Sequence, residues 1–434
     1  MASQAVLGHD AVDVPASMPA ARTQRMLFGL PVPMALLIVC FFIPQEASIF
    51  IADQRWTISR LILLFLTPYI VFRFILILLQ DVQSVCLADV ILLLPGIWMF
   101  VSSYYTTDTR WLLFAGSNAM ELCVPYAAAR VLLREEGQIT PAIRLLAGCM
   151  AVTGVLAVLD PLTGEIFLKV GLAQLTGAQA PFFYEYRQGL LRSHSVYEHP
   201  ILLGCACVLG MIMAWYGGGR GRTLMLLGNF MGLFLSLSSA PFGAFFITLG
   251  LFVYERVTRP LPNRWVLLFV AFAVPAFLLF TFHESPWSVI FRFLAFSQET
   301  AWYRILQWET LLPYVDISFW VGWGDGRLFA LQTGLTASID SQWLSLAIVF
   351  GVPVSLSVAL IYLGSCTVGT GQRSRRSQLS PTSRKISLAL GMCMFIYVFL
   401  GATVAFWGSL YIIGSFMAGI RASLGSLSRQ PSQA

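Results

Sequence analysis

The chain predicts an all-α polytopic membrane protein, with about 12 transmembrane helices in a single domain. Three observations carry that expectation. Of its 434 residues, 57% are hydrophobic and only 11% are charged. The mean hydropathy is +0.76. Apolar runs near the roughly 20 residues that a bilayer-crossing helix requires recur along the whole chain. The excess of 27 Lys+Arg over 21 Asp+Glu is not a nucleic-acid signal. The positive charges sit in short loops between apolar runs, where they report orientation.

Taken in order, residues 1–25 read as a polar cytoplasmic tail without stable structure. The first apolar run follows Arg22 and Arg25 and is long enough to remain as a span, so a cleavable signal peptide is not expected. Spans are expected near 27–44, 60–79, 87–103, 111–132, 143–159 and 200–216. They continue near 223–238, 241–254, 265–282, 341–364, 386–401 and 405–421, with the domain covering 26–422 and a second cytoplasmic tail at 423–434. The pair at 223–238 and 241–254 is short and joined by the tight turn Ser238-Ser239-Ala240-Pro241. All eight cysteines lie in apolar runs or at their edges, which argues against a disulfide framework and against a zinc site. No metal and no cofactor is expected.

Counting basic residues per side sets the orientation. With the N-terminus inside, the clusters Arg130/Arg134/Arg144, Arg220/Arg222, Arg256/Arg259/Arg264 and Arg373/Arg375/Arg376/Arg384/Lys385 fall inside. About 18 basic residues are then internal and about 9 external, the bias that membrane insertion favours. Both termini are therefore expected to be cytoplasmic. Two long hydrophilic segments, 160–199 and 283–340, then share the external face. Loops of that length are usually functional. Trp302, Ile305 and Leu306 recur at helical spacing in the second, which predicts short helices lying on the membrane.

Candidate chemistry concentrates in these loops. The window Tyr186–Ile201, Y-R-Q-G-L-L-R-S-H-S-V-Y-E-H-P-I, holds two of the chain's four histidines, His194 and His199, beside Arg187, Arg192 and Glu198. Arginine offers a planar, permanently charged fork suited to phosphate and diphosphate oxygens. Arg187, Arg192 and Arg304 are the arginines held outside against the usual bias that are most suspect of anion binding. A general base for a hydroxyl could be Glu198, His199 or Asp340, although Glu198, His199 and Asp340 also stand where a helix-start residue would. His194 reads as substrate-binding. So does the turn G-W-G-D-G-R, with Gly322, Gly324, Asp325 and Arg327, because glycines permit close backbone approach to a ligand. No nucleotide-binding motif occurs. Glu121 and Arg73 are charges within apolar runs, where charge is costly and usually functional, though Arg73 can snorkel to the surface.

The order of these motifs resembles the O-antigen ligase/polymerase superfamily, specifically Wzy-type exopolysaccharide polymerases. The resemblance rests on Arg187, Gly189, Arg192, His199, Pro200 and Ile201, then on Y-R-I-L-Q-W at Tyr303–Trp308, V-G-W-G-D-G at Val321–Gly326 and I-D-S-Q-W-L at Ile339–Leu344. The segment A-G-S-N-A-M-E-L-C-V-P-Y-A-A-A-R, ending at Arg130, is similar to the fourth span of such proteins. It implies a GT-C-like enzyme of the bacterial inner membrane acting on an undecaprenyl-diphosphate-linked oligosaccharide, without nucleotide or metal. A flippase and a chain-length regulator would be its pathway partners, and the lipid bilayer its solvent. Arg187, Arg192 and Arg304 would grip the diphosphate leaving group, the kind of charge stabilisation that dominates many such steps. Ligases of the superfamily carry a histidine where this chain has Asp340-Ser341-Gln342, which favours polymerase over ligase. Many relatives carry Ser-Arg where this chain has S-L-S-S-A-P at Ser236–Pro241, so no arginine carries over there. A 12-span flippase or transporter is the alternative of a different class. Against it, Gln80–Cys86 lacks the major-facilitator loop signature and the long loops show no twofold repeat.

Overall fold

The computed structural model describes residues 26–51, 54–81, 84–107, 110–177, 183–261, 263–283, 286, 289, 298–325, 329–330, 333–334, 339–367 and 379–428. The tail expected at 1–25, the last six residues (429–434) of the tail expected at 423–434, Arg327 and the run Arg373/Arg375/Arg376 lie outside the described residues. The described chain is helical except for three two-stranded antiparallel hairpins. These are β1–β2 (Met26–Leu27 with Leu30–Pro31), β3–β4 (Ser48–Ile51 with Gln54–Thr57) and β5–β6 (Tyr186–Arg187 with Leu190–Leu191).

Before the last hairpin run α1 (Val32–Cys40), α2 (Ile58–Gln80), α3 (Leu87–Ile91), α4 (Leu93–Thr106), α5 (Trp111–Leu132), α6 (Glu136–Leu156), α7 (Leu159–Thr163) and α8 (Phe167–Thr176). After it come α9 (Pro200–Gly217), α10 (Arg222–Leu235), α11 (Ser239–Val257), α12 (Arg264–Phe282) and α13 (Gln298–Ile317). The chain closes with α14 (Gln342–Phe350), α15 (Val352–Thr367), α16 (Pro381–Gly401) and α17 (Ser409–Leu427).

Among the described residues, seven helices are long and apolar enough to cross a membrane: α2, α3 with α4, α6 with α7, α9, α11, α16 and α17. The other expected spans differ for identifiable reasons. α1 is only 9 residues long, between two hairpins. α5 has 22 residues but carries Glu121 and Arg130. The span expected at 341–364 is broken at Gly351, whose φ of +87° suits glycine, and the carbonyl of Trp320 occupies the place of a side chain there. The final helix runs to Leu427, six residues beyond the expected end at 421.

The same break explains the glycine-rich turn. Trp323 N–H donates to Ile348 O at 2.6 Å and Gly324 N–H to Val349 O at 3.1 Å. A side chain at Gly322 would strike the 348–351 backbone. Gly322 and Gly324 (φ +69° and +78°) therefore serve backbone-on-backbone packing, which replaces the expected role of admitting a ligand. Asp325 follows this turn and its carbonyl receives the Phe329 N–H at 3.1 Å. α13 also departs from the surface-helix expectation: it is 20 residues long, with Ile305 and Trp308 buried against Leu344 and Ile348 while Trp302 and Leu306 stay exposed.

α9 and α17 are central, with 83% and 94% of their apolar windows buried, against 22% for α2. Small residues allow this close approach. Gly204 of α9 abuts Pro241 and Ser236, and Gly419 of α17 abuts the backbone of Tyr126. Arg130, expected among loop charges, is instead enclosed in a bidentate ion pair with Asp89 at 2.8 and 2.9 Å.

One length difference creates the site. α9 has 18 residues and α10 has 14, joined by the short link Gly218–Gly221. At about 1.5 Å per residue α9 rises about 27 Å and α10 only about 21 Å, both short of a hydrocarbon core of about 30 Å. The turn Ser236–Ser238 thus ends below the start of α9, and residues 191–199 fill the notch.

Candidate functional site

The segment that fills the notch is irregular yet buried continuously from Leu191 to Tyr197. Irregular backbone at such depth persists only where protein groups satisfy it. Asp160, 0% exposed, supplies much of that: its Oδ2 accepts the N–H of His194 (2.8 Å) and Ser195 (3.0 Å), and its Oδ1 the N–H of Phe167 (3.0 Å). Ser193 N–H donates to Leu235 O at 3.0 Å and its hydroxyl to Ala157 O at 2.7 Å. Sequence reasoning placed Asp160 outside and gave it no task. The segment enters through β5–β6, whose Gln188 and Gly189 (φ +52° and +78°) have the two positive φ values of a I′ turn.

Arg192 is spent on this architecture. Its guanidinium pairs with Glu185 and donates to Ser238 Oγ and, at 3.2 Å, to Ser236 O. Every side of the fork is engaged, so Arg192 holds the α10–α11 turn; the expected direct grip on a diphosphate is not its geometry. Arg187 is exposed and donates to Leu237 O at 2.7 Å, helping to hold Leu237 at φ +46°. Glu185 also faces His199, Oε1 to Nε2 at 3.5 Å. His199 Nδ1 accepts the Ile201 N–H at 3.2 Å, capping α9, so Nε2 carries the proton. The hydrogen bond to His199, followed by the charge of Arg192, holds the Glu185 carboxyl down at about 2. The cap fixes the imidazole, and a base role for His199 would cost the helix its cap. Arg192→Ala is expected to remove three bonds and lower the yield of folded protein several-fold, read by membrane abundance and thermal unfolding in detergent. Full abundance with lost activity would show Arg192 acting in the chemistry instead.

Arg304 is different. It lies on α13, 4% exposed, and its guanidinium makes no hydrogen bond or ion pair among the described residues; Nε is wholly enclosed. Burial lowers its pKa from the usual guanidinium value, Arg187 adds to that, and Asp340 opposes it. Asp340 is placed beside it through its own N–H, which donates to Gln307 Oε1 at 3.1 Å. The second long loop thus brings Arg304 and Asp340 to Arg187 of the first. Gln342 is committed to structure: its Oε1 accepts the Phe406 N–H at 2.6 Å.

Two further groups face the same end of α9. His194 is 4% exposed; its Nδ1 meets Glu198 O at 3.2 Å, leaving Nε2 enclosed without a partner. Burial, then the charge of Lys169, presses its pKa to about 3, so the ring is neutral and Nε2 is a bare acceptor. Glu198 is partly exposed as a residue, but its carboxylate is enclosed and Oε2 has no partner. Burial raises its pKa to about 7. The structure therefore brings Arg187, Arg304, Asp340, His194, Glu198 and His199 to one end of the bundle. It also adds Glu46 and Lys169, which sequence reasoning missed. The available signal was an acid in a short apolar loop and a lysine among the few external charges. Glu121 is absorbed by an ion pair with Arg60 at 2.6 Å.

No protein-family model matches the chain, and no curated protein matches it.

Proposed function

We propose that this protein is a membrane glycosyltransferase that polymerises polyprenyl-diphosphate-linked oligosaccharide repeat units into exopolysaccharide or O-antigen. The proposal places it in the bacterial inner membrane with the site on the periplasmic face and both termini cytoplasmic. The spanning helices, completed by α1, α5, α10, α12 and α14 with α15, would make about 12 crossings. One observation carries the reading: Arg304 is a desolvated cation without a hydrogen bond or ion pair among the described residues, beside a second arginine. Burying such a charge is expensive unless an anion completes it. A diphosphate is an anion that the planar guanidinium fork of Arg304, with the charge of Arg187 within reach, suits well.

In this reading Arg304 and Arg187 hold the diphosphate and stabilise its growing charge as the anomeric carbon–oxygen bond breaks. The acceptor sugar hydroxyl attacks that carbon. Glu198 receives the proton of the attacking hydroxyl, and His194 Nε2, an acceptor only, takes a hydrogen bond from a neighbouring hydroxyl of the acceptor sugar to orient it. A site at the end of α9 would let a lipid-anchored donor present its headgroup while its chain stays in the bilayer. The test is the glycan that accumulates on deletion of the gene. Single lipid-linked units facing the periplasm are expected. Long unattached polymer would make the protein a ligase, and units facing the cytoplasm would make it a flippase.

A further inference from the structure

Behind the 191–199 segment lies a set of charges that the reaction above leaves unused. Glu46, in the stretch before β3, and Lys169, on α8, are 3% and 6% exposed. Lys169 Nζ stands 3.3 Å from Glu46 Oε1 and donates to the carbonyls of Tyr197 and Glu198, each at 3.4 Å. All three ammonium hydrogens have oxygen partners, so Lys169 ties Glu46 to the backbone of Glu198 itself. The Glu198 carboxylate turns to the start of α17, where Ser409 N–H donates to Oε1 at 3.3 Å. Glycine is required at 408 (φ +57°) because Glu198 Oε1 and Gln45 Nε2 fill the place of its side chain. Two carboxylate oxygens, Glu46 Oε2 and Glu198 Oε2, are enclosed and have no partner.

An enclosed carboxylate oxygen without a donor is costly. Lys169 pairs with Glu46 and holds the backbone of Glu198, so the Glu198 carboxylate feels both charges without an ammonium of its own, which leaves room for one further positive charge; a proton is the smallest. We propose that Glu198, coupled to Glu46 through Lys169, is a single-proton acceptor for the acceptor hydroxyl, with Glu46 and Lys169 as positioning residues that set its proton affinity. This rests on the transferase reading, since an attacking hydroxyl supplies the proton. The acceptor oxygen forms a bond to the anomeric carbon as its proton passes to Glu198 Oε2. The bond from that carbon to the diphosphate breaks, and its electron pair leaves with the diphosphate. Glu198 then returns the proton to water.

The charges facing Glu198 come from every neighbouring element: Lys169 on α8, Glu46, the amide end of α17, and Arg60 of α2 with its partner Glu121. His194 and His199 lie on its own segment. Burial acts first to raise the Glu198 carboxyl; Glu46 adds to it, while Lys169 and Ser409 oppose. A base must be ionised to work, so transfer is expected to rise with pH through about 7 and then level off.

The experiment measures the pH profile of glycan transfer by purified full-length protein in lipid vesicles, using a short polyprenyl-diphosphate oligosaccharide. Glu46→Gln removes a negative neighbour and is expected to move the rising limb down by about one pH unit, a tenfold change in proton affinity. Lys169→Met removes a positive one and is expected to move it up. A purely structural role would lower the rate without opposite displacements, and an unmoved limb in Glu46→Gln overturns the coupling. An infrared pH titration of the protein alone is independent of activity and of Lys169→Met folding. A protonated-carboxyl band that fades through about pH 7 and is absent in Glu198→Gln is expected. Absence of that band in the unmodified protein overturns the proposal. If the band titrates but no glycan is transferred, the coupled proton site stands and the transferase reading falls.

Discussion

Arg304→Ala is expected to lower polymer formation by about 100- to 1,000-fold at unchanged protein abundance, the range seen when one preorganised donor to a developing anion is removed. The reason for unchanged abundance is as informative as the loss. Among the described residues Arg304 makes no hydrogen bond or ion pair that its removal would leave broken. Deleting a desolvated cation relieves a burial cost, breaks no hydrogen bond or ion pair among the described residues and loses only the longer-range attraction of Asp340, so unfolding temperature should hold or rise. Arg304→Lys is expected to recover little, because an ammonium is a point charge and cannot present a planar fork to two phosphate oxygens. Transfer per folded molecule, with donor saturation measured separately, checks this. A variant within about threefold of the parent at equal abundance would remove the diphosphate clamp from the mechanism, since even one lost charged hydrogen bond costs about 1.5–3 kcal/mol.

Arg192 and Arg304 looked alike in the sequence, as two arginines in two long loops. Their partners separate them. Arg192 meets Glu185, Ser236 and Ser238, which are 7, 44 and 46 residues away in the chain, and no local pattern announces the last two. The helical membrane architecture was legible because hydropathy is a local property and α2, α9 and α16 state it outright. Legible too was the crowding of charge before Pro200, since charge in an apolar chain must have a reason. The break at Gly351 was hidden, because it is made by the 320–324 turn packing from α13. Glu46 and Lys169 were hidden for the same cause: Glu46 meets Lys169 far along the chain, and Lys169 meets the carbonyl of Glu198, which no local pattern announces. Glycine at 322 and 324 was noticed, but glycine marks close approach without saying whether a ligand or another backbone approaches.

Asp160→Ala should produce the largest loss of stability of any single change at this end of the bundle. It strands the buried N–H groups of His194 and Ser195, each costing about 1–3 kcal/mol when unsatisfied, and it takes the acceptor from the N–H of the exposed Phe167. The two buried donors alone amount to about 2–6 kcal/mol, a large part of the roughly 5–15 kcal/mol reserve of an ordinary domain. Asp160→Asn keeps one carbonyl oxygen but turns an amide N–H₂ toward at least one donor, so about half of that loss is expected. Thermal unfolding in detergent and membrane abundance measure both. The two variants should also fail differently from Arg304→Ala. Freeing residues 193–195 lets His194 and Glu198 drift from Arg304, so activity should fall in proportion to folded protein and further per molecule. A misplacement of about 1 Å can cost about 100-fold in rate. An Asp160→Ala protein that unfolds within about 1 kcal/mol of the parent would mean that water reaches the amides of His194 and Ser195. The 191–199 segment would then be a surface loop, and the enclosed acceptor Nε2 of His194 and the enclosed carboxylate of Glu198 would lose the dry surroundings on which their proposed roles depend.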